Sequence, residues 1–426
     1  MNIAYLRPPR GLRDYPPEVW GRIKYLGESF LELASLWGYR EVEAPALEKL
    51  EILEKKAGPN VRDEIYWFKD KGGRELGLIF DYTVPLARYI AANPSLPKPI
   101  KWCYFGRVWR YDEPQAGRWR EFWQFGVELI GSDKVDADAE VIALMVKCLE
   151  KVGVPEPKVM VCDRRLVMSA LDTMGIDKSI RYEVLRVIDK KKKISPEEFR
   201  DMLAKLGLEG KADDIGEFSS TLVPFNEAYE AASNYDSNIA VFFRELSEIL
   251  NEYGVIEKVF LDCSIVRGLD YYTGLVFEAF CSGGDRLSRL AIGGGGRYDE
   301  LIGLYRKPGV PATGFALGVD RIAMALTYRG TNEVNIVNLY YMDKSFRGYA
   351  IMVAEQLRRN KIPVVLDFYS KSIRDSLKQA DKRGYRFQII IGRKEFGENK
   401  VTLKDLVEKT QETLTIEEAI ARIRST

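Results

Sequence analysis

Hydrophobic residues recur at helical spacing in three stretches of the first third of the chain. These stretches are residues 17–38, 83–93 and 136–152, and each predicts an amphipathic helix. The first ends at Gly38, a residue typical of a helix end.

Strand-like sequence lies between these predicted helices. The predicted strands are residues 39–47, a hairpin over residues 65–81, and a pair at residues 100–112 and 120–131. The first strand runs into Pro45, and the hairpin turns at Gly72 and Gly73. A polar loop, residues 113–119, joins the last pair.

The pattern changes after the third predicted helix. From Asp163 to Tyr253 helical sequence dominates, and we expect a helical insertion at about residues 165–252. Strand-like sequence then resumes and includes the glycine run 293–296. Beyond a linker at residues 331–335 the order is strand, helix, strand, helix, strand, strand, helix, which predicts a small α/β domain with a mixed sheet.

Length and cysteine content narrow the class of protein. A chain of 426 residues exceeds one ordinary core, so two or three domains are expected. No segment is long and apolar enough for a secretory signal or a membrane span, which favours a cytoplasmic protein without a membrane partner. The five cysteines are scattered and predict free thiols in a reducing compartment: Cys103, Cys148, Cys162, Cys263 and Cys281.

The chain contains no histidine. A Ser-His-Asp triad, a His-ligated metal and a histidine general base are therefore excluded. An enzyme of this composition must act through carboxylates, arginines, backbone dipoles and metal carried in with a substrate. We expect no metal site of the protein's own.

Charge is distributed unevenly along the chain. From Glu333 onward there are 18 Lys and Arg against 13 Asp and Glu, or +5, which leaves 46 against 50, or −4, for the rest of the total of 64 and 63. A basic C-terminal module on a mildly acidic body fits a polyanion-binding appendage. Ordinary solvated surface charge is the alternative.

Three arginines stand in glycine- or aromatic-rich segments that should be largely buried. Arg110 lies in a strand before a polar loop, Arg267 follows a strand, and Arg321 lies on the first turn of a helix preceded by two glycines. A buried arginine without a partner is costly, so three of them indicate an anionic ligand such as phosphate. A Walker loop is absent from the sequence, so a nucleotide would bind in another way.

The segments around these arginines resemble the motifs of class II aminoacyl-tRNA synthetases, and specifically the histidyl-tRNA synthetase family. Residues 39–48 resemble motif 1, with Pro45 at a dimer interface; residues 107–131 resemble motif 2; and residues 314–326 resemble motif 3. The segments that distinguish the histidyl family match residues 80–88, 265–278 and 293–301.

The resemblance covers nearly the whole chain and implies an α+β fold. It implies a catalytic domain at residues 1–330, built on an antiparallel sheet core with flanking helices, and an α/β mixed-sheet anticodon-binding domain at residues 333–426. It further implies a cytoplasmic homodimer that uses ATP, with Mg²⁺ brought by the nucleotide, to join histidine to histidine tRNA.

The resemblance also assigns roles to individual residues. ATP would be held by Arg110 at the α-phosphate, Arg321 at the γ-phosphate, and Arg118. Arg267, beside the α-phosphate, would be catalytic together with Arg110, and Gln115 would lie near the extra 5′ guanine of histidine tRNA. Histidine would be bound by Asp81, Thr83, Gln124, Glu128, Arg267, Tyr271, Tyr272 and Tyr298. Many members of the family have an arginine where this chain has Phe80, which weakens the comparison around that turn.

Two other functions remain as alternatives. One is a synthetase-like regulatory subunit of histidine biosynthesis, a class that usually lacks the C-terminal module and parts of motif 2. The other is a module that only binds tRNA or a protein partner. The retained Arg110, Gln115, Arg118 and Arg321 favour the enzyme.

Local alternatives also remain open for several residues. Trp123 and Phe125 are expected in the core, although pocket walls and core overlap here. The glycine run 293–296 indicates a close approach of ligand or backbone, or an ordinary loop. The lysines 190–193 form either a solvated helix face or a tRNA contact, and Glu128 is either a ligand or a structural carboxylate.

Overall fold

The protein is described here by a computed structural model. It describes residues 4–57, 59–115, 117–266, 272–282, 290–326 and 336–425. The chain divides into two compact units, Met1–Tyr328 and Arg329–Thr426, and each has a hydrophobic core of its own. The predicted linker at residues 331–335 lies outside the described residues. Within the described residues, no helix has the length and apolarity needed to cross a membrane.

The first unit contains long strands interleaved with helices. Its helices are α1 (Pro17–Leu36), α2 (Leu50–Ala57), α3 (Thr83–Ala92), α4 (Val135–Lys151), α5 (Arg164–Thr173), α6 (Arg181–Lys190), α7 (Pro196–Ala204), α8 (Ala212–Phe218), α9 (Ala228–Ser233), α10 (Ser237–Glu252), α11 (Leu301–Tyr305) and α12 (Val319–Ala325). Its strands are β1 (Arg40–Glu41), β2 (Leu47–Lys49), β3 (Trp67–Lys69), β4 (Glu75–Leu78), β5 (Ile100–Trp109), β6 (Glu121–Ile130), β7 (Lys158–Asp163), β8 (Leu222–Pro224), β9 (Val259–Asp262), β10 (Leu275–Phe280), β11 (Gly293–Arg297) and β12 (Ala312–Gly318).

The three helices predicted from hydrophobic spacing are α1, α3 and α4. Helix α1 begins with Pro17, whose missing N–H has no partner in a first turn anyway. Its buried face carries Ile23, Leu26 and Phe30, and the Phe30 ring lies 5.2 Å from that of Phe125 in β6. The helix therefore covers one face of the central sheet.

A nine-stranded sheet forms the centre of the described part of this unit, in the order β1-β5-β6-β12-β11-β10-β7-β9-β8. The six strands from β5 to β7 pair antiparallel, as the predicted antiparallel core requires. At the two margins of these six strands the pairing is parallel, between β1 and β5 and between β7 and β9. The long β5–β6 hairpin ends at the polar loop that follows Trp109.

One predicted strand is much shorter in the structure. The prediction for residues 39–47 was wrong in extent, because β1 covers only Arg40–Glu41. The last hydrogen bond to β5 is donated by the Val42 N–H to the Cys103 carbonyl oxygen, and the chain leaves the central sheet after it. Pro45, which has no N–H to donate, lies in the segment that leads away from the sheet. The chain then forms β2, which joins the predicted β3–β4 hairpin in a separate three-stranded sheet.

The predicted insertion is helical, as expected, and it is continuous with the rest of the first unit. Its helices are α5 to α10, and its short strand β8 pairs with β9 at the edge of the central sheet. Buried residues of the insertion, such as Phe243 and Leu246, belong to the same core as those of β6 and α4.

The second unit is a mixed sheet with helices, as its pattern predicted. Its strands are β13 (Val337–Tyr341), β14 (Val364–Asp367), β15 (Phe387–Ile391), β16 (Val401–Asp405) and β17 (Thr410–Leu414), and its helices are α13 (Arg347–Arg359), α14 (Ile373–Lys382), α15 (Arg393–Glu398) and α16 (Ile416–Arg424). The order is β14-β13-β15-β16-β17, with parallel pairing up to β15 and antiparallel pairing after it. The prediction missed α15 and β17, since α15 is short and charged and β17 is a polar edge strand.

Candidate active site

A large cleft opens on one face of the central sheet. Its volume is about 1190 Å³, and its walls come from β6, β11, β12, the first turn of α12 and the loop after β5. Ten of the twelve predicted site residues line this one cleft: Asp81, Thr83, Arg110, Gln115, Arg118, Gln124, Glu128, Tyr272, Tyr298 and Arg321. The other two, Arg267 and Tyr271, lie outside the described residues.

Strand β6 separates cleft from core through the alternation of its side chains. Phe122, Gln124 and Glu128 are even-numbered and line the cleft. Trp123 and Phe125 point to the other face, where they pack in the core, with the Trp123 ring 5.0 Å from that of Trp20. The expectation that these two aromatic residues belong to the core is confirmed.

Arg110 and Arg321 enter the cleft without a carboxylate partner at ion-pair distance among the described residues. Arg321 donates to the carbonyl oxygens of Gly117 (2.8 Å) and Ala291 (2.7 Å), and Arg110 donates to that of Phe80 (3.0 Å). Burial lowers the pKa of Arg321, and the positive charges of nearby Arg118 and Arg110 lower it further. This end of the cleft is therefore organised to receive an anion.

The loop between β5 and β6 contributes two predicted site residues to the lining of the cleft. Gln115 and Arg118 pair through their backbones, and both are exposed. The Arg118 side chain forms a partly exposed ion pair with Asp112, at 3.5 Å. An exposed pair of this kind contributes little stability, so Arg118 can exchange it for a bound phosphate at small cost.

Glu128 is the centre of a hydrogen-bond network at the opposite end of the cleft. It is buried and accepts hydrogen bonds from the hydroxyls of Thr83 (2.9 Å) and Tyr298. Gly314 lies directly across from it on β12, and a Cβ there would be 2.2 Å from Glu128 Oε2. The absence of a side chain at position 314 therefore makes room for the carboxylate.

Three more predicted residues surround this network. Asp81 caps the start of α3 by accepting the backbone N–H of Val84 at 3.1 Å. Gln124 is buried, and its side-chain oxygen accepts no hydrogen bond from the described residues. Tyr272 is buried against Gly296, where a Cβ would approach its ring to 2.8 Å. A buried amide oxygen that accepts no hydrogen bond from the described residues suits a ligand that brings N–H donors.

The glycine run forms the central strand β11. A Cβ on Gly295 would lie 2.0 Å from the carbonyl oxygen of Gly314, so the close approach is by the backbone of β12. Gly293, Gly294 and Gly295 also line the cleft. The ordinary-loop alternative is wrong, and the glycines give the cleft a floor without side chains.

Three lysines of the run have side-chain partners within the first unit. Lys191 donates to Gly216 and Ser219, Lys192 pairs with Asp262, and Lys193 lies 3.5 Å from Asp189. Lys192 and Lys193 nevertheless line the far side of the cleft. A tRNA contact by these lysines stays a prediction.

The sequence did not reveal a buried carboxylate, Asp320, next to Arg321 at the end of the cleft that holds Arg110 and Arg321, called here the arginine end. Asp320 is buried, pairs with Arg13, and accepts hydrogen bonds from Tyr15 (2.9 Å) and the backbone N–H of Trp123 (2.6 Å). Burial raises the pKa of Tyr15, and the charge of Asp320 raises it further. No local pattern could reveal this contact, because about three hundred residues separate Arg13 from Asp320.

An antiparallel sheet with arginines in a cleft on one face, and with motif 3 running from a strand into a helix beside that cleft, is the arrangement of class II aminoacyl-tRNA synthetases. The family model "Histidyl-tRNA synthetase" matches residues 11–322, and the model "Anticodon binding domain" matches residues 333–426.

Individual relatives agree with these matches. The histidine–tRNA ligase of Pyrobaculum islandicum is 42% identical over 401 residues, which are 94% of each chain, and that of Pyrococcus horikoshii is 35% identical over 98% of each. The crystal structure of histidyl-tRNA synthetase from a Nostoc species has the same fold, with a TM-score of 0.84 at 24% identity over 98% of both chains. The chain belongs to the histidyl-tRNA synthetase family.

Proposed function

We propose that this protein activates histidine with ATP and transfers it to histidine tRNA, releasing AMP and pyrophosphate. The observation that carries the proposal is a single cleft that holds both kinds of group. At one end Arg110 and Arg321 have no carboxylate at ion-pair distance within the described ranges, and at the other a hydrogen-bond network surrounds Glu128. The proposed site of action is the cytoplasm, and the proposed active form is a homodimer built around the motif 1 segment.

The arginine end is the proposed ATP site. Arg110 would bind the α-phosphate, Arg321 the γ-phosphate, and Arg118 would assist from the loop. Guanidinium groups suit this task because they present several donors to phosphate oxygens in a fixed plane. Mg²⁺ would arrive with the nucleotide, and Arg267 is proposed as a further catalytic contact to the α-phosphate.

The carboxylate end is the proposed histidine site. Glu128 would accept a hydrogen bond from one imidazole N–H, and the Tyr272 hydroxyl would serve the other ring nitrogen. Asp81, Thr83 and Gln124 would receive the α-amino group, while Tyr271 and Tyr298 form walls. Thr83 already donates its proton to Glu128, so its oxygen lone pairs remain available to accept from an ammonium group.

The proposed chemistry needs no histidine side chain. The carboxylate of the substrate is ionised at neutral pH and attacks the α-phosphorus without a general base. The arginines stabilise the charge that develops on the phosphoryl oxygens and align the leaving pyrophosphate. In transfer, the ribose hydroxyl of the tRNA attacks the adenylate, and a phosphate oxygen of the adenylate takes the proton.

The remaining assignments concern tRNA. The proposed catalytic domain is residues 1–330 and the proposed anticodon-binding domain is residues 333–426. The excess of 18 basic over 13 acidic residues in the latter supports contact with an RNA backbone. Gln115, exposed in the loop at the cleft entrance, is proposed to lie near the extra 5′ guanine.

Histidine-dependent exchange of pyrophosphate into ATP tests the proposal. We expect exchange with histidine and none with other amino acids. A regulatory subunit or a pure tRNA-binding module would bind its ligand without exchange, so a purified protein that binds histidine but exchanges nothing would contradict the proposal.

A further inference from the structure

A second buried anchor lies behind the histidine end of the cleft, away from any proposed substrate contact. Arg297, at the end of β11, is 7% exposed, and its partner Asp138, on the first turn of α4, is 2% exposed. Neither lines the cleft. Burying such a pair costs desolvation free energy that can exceed its attraction, so its role is to be sought in the backbone segments that it holds in place.

Every N–H of the Arg297 guanidinium has an acceptor. Nε and Nη2 donate to Asp138 Oδ2 at 3.0 and 2.8 Å, and Nη1 donates to Asp299 Oδ1 at 3.1 Å. Nη1 and Nη2 also donate to the carbonyl oxygens of Ser132 (3.1 Å) and Lys134 (3.4 Å). Because Ser132 and Lys134 follow β6, one side chain ties the end of β11 to the strand that carries Glu128.

The same anchor fixes the backbone on both sides of Tyr298. Asp299, held by Arg297, accepts the N–H of Ala312 at 2.9 Å, and its own N–H donates to Thr273 Oγ1 at 3.2 Å. The N–H of Thr273 in turn donates to the Arg297 carbonyl oxygen at 2.9 Å. Tyr298 and Tyr272, the two described tyrosines proposed for the histidine pocket, are thus each one residue from a group bound by this network.

We propose that Arg297, with Asp138 and Asp299, is a positioning residue that sets the histidine pocket by fixing Tyr298 against Glu128 and Tyr272 beside it. The inference rests on the proposed function. It assigns no contact with substrate to Arg297, and it predicts an effect on histidine without a matching effect on ATP. Lysine has three donors on one nitrogen and cannot span these acceptors, so Arg297→Lys keeps the charge and loses the geometry.

The test is pyrophosphate exchange by the full-length protein. We expect Arg297→Lys to raise KM for histidine on the order of tenfold, because small misplacements of binding groups cost that much or more, while KM for ATP stays within about twofold. Asp299→Asn keeps an acceptor for Arg297 and should fold even if Arg297→Lys does not. We expect it to raise KM for histidine by about threefold, as loss of charge assistance in one hydrogen bond would.

A double-mutant cycle separates positioning from general destabilisation. If the effect passes through Tyr298, adding Arg297→Lys to Tyr298→Phe should cost much less than adding it to the wild type. Arg386→Lys is the matched control, since Arg386 forms a comparable ion pair with Asp405 at 3.3 Å in the second unit. It should change thermal stability without changing KM for histidine.

The possible results are distinct. Wild-type protein without histidine-dependent exchange would contradict the proposed function itself. If the wild type does exchange, three results would overturn the positioning role alone. Arg297→Lys could raise both KM values equally, it could raise neither, or its effect could be fully additive with that of Tyr298→Phe.

Discussion

The two ends of the cleft are built on opposite electrostatic principles. At the arginine end, Arg110 and Arg321 donate to backbone carbonyls, and burial lowers the pKa of Arg321, with a further lowering from the positive charges of Arg118 and Arg110. At the carboxylate end, Glu128 already accepts from Thr83 and Tyr298. One end presents positive charge to the cleft, whereas at the other the protein's own polar groups are hydrogen-bonded to one another.

This difference matches the demands of the two proposed ligands. A triphosphate brings charge that increases during the reaction, so donors held apart from carboxylates gain most in the transition state. An imidazole must instead be distinguished from other side chains, and a preformed network does so because a wrong ligand leaves buried polar groups unsatisfied.

The largest effect is expected at the arginine end. Arg110→Ala should lower the turnover of exchange by about 100- to 1000-fold, the usual cost of removing one donor to developing charge. Steady-state exchange measures this. Arg107→Ala is a suitable control, since Arg107 lies on β5 but is partly exposed and pairs with Glu121 at 3.3 Å. Equal losses in the two variants would contradict a specific role for Arg110.

A smaller effect, confined to histidine, is expected at the carboxylate end. Glu128→Gln should raise KM for histidine by about 5- to 150-fold, the equivalent of 1–3 kcal/mol for a buried group left mispaired. The loss should be larger at pH 6 than at pH 8, because the free imidazole has a pKa of about 6.5 and its protonated ring needs a carboxylate.

The matched control for Glu128 lies on the same strand. Glu121 pairs with Arg107 and Trp109 outside the cleft, so Glu121→Gln should leave histidine dependence unchanged. If Glu128→Gln retains wild-type dependence at both pH values, Glu128 is a structural carboxylate.

Replacing Arg321 should increase the stability of the protein, whereas replacing an arginine at the arginine end of the cleft should decrease its activity. The fold lowers the pKa of Arg321, so its charged form opposes folding when no anion is bound. Arg321→Met should therefore stabilise the ATP-free protein by about 1 kcal/mol and abolish the rise in Tm that we expect ATP to cause in the wild type. Since arginine stays charged, neither effect should depend on pH near neutrality.

Thermal denaturation with and without ATP measures this prediction. Arg181→Met is the contrasting variant, because Arg181 is a buried arginine that pairs with Asp172 and donates to Ile176 O at 3.0 Å. That variant should be destabilised. A destabilised Arg321→Met protein would show that Arg321 has a structural role and that its charge does not oppose folding.

The smallest effect on activity is expected for Gln115, which belongs to neither end of the cleft. Gln115→Ala at the cleft entrance should lower transfer to tRNA by about fivefold, as the loss of one hydrogen bond of about 1 kcal/mol does, and leave exchange intact. Comparing aminoacylation with exchange in the same preparation checks it. Equal loss in both reactions would argue against a tRNA contact.

The local pattern of hydrophobic and turn residues predicted much of the secondary structure. Helices α1, α3 and α4, the β3–β4 hairpin, the β5–β6 pair and the mixed sheet of the second unit follow from hydrophobic period and turn residues. Strand alternation also placed Trp123 and Phe125 in the core. The pattern failed where the sequence is weakly apolar, as in β11, α15 and β17. Strands β11 and β17 are defined by their pairing with neighbouring strands, which the local sequence does not reveal.

The sequence by itself determined which residues are available for chemistry: arginines, carboxylates and tyrosines in recognisable motifs, and no histidine. Tertiary structure decided how they are supported. Asp320 with Arg13 beneath one end of the cleft, and Asp138 with Arg297 behind the other, join residues 307 and 159 positions apart. Hydrophobic period and turn chemistry act over a few residues, whereas burial of a charge is settled only when distant elements pack together.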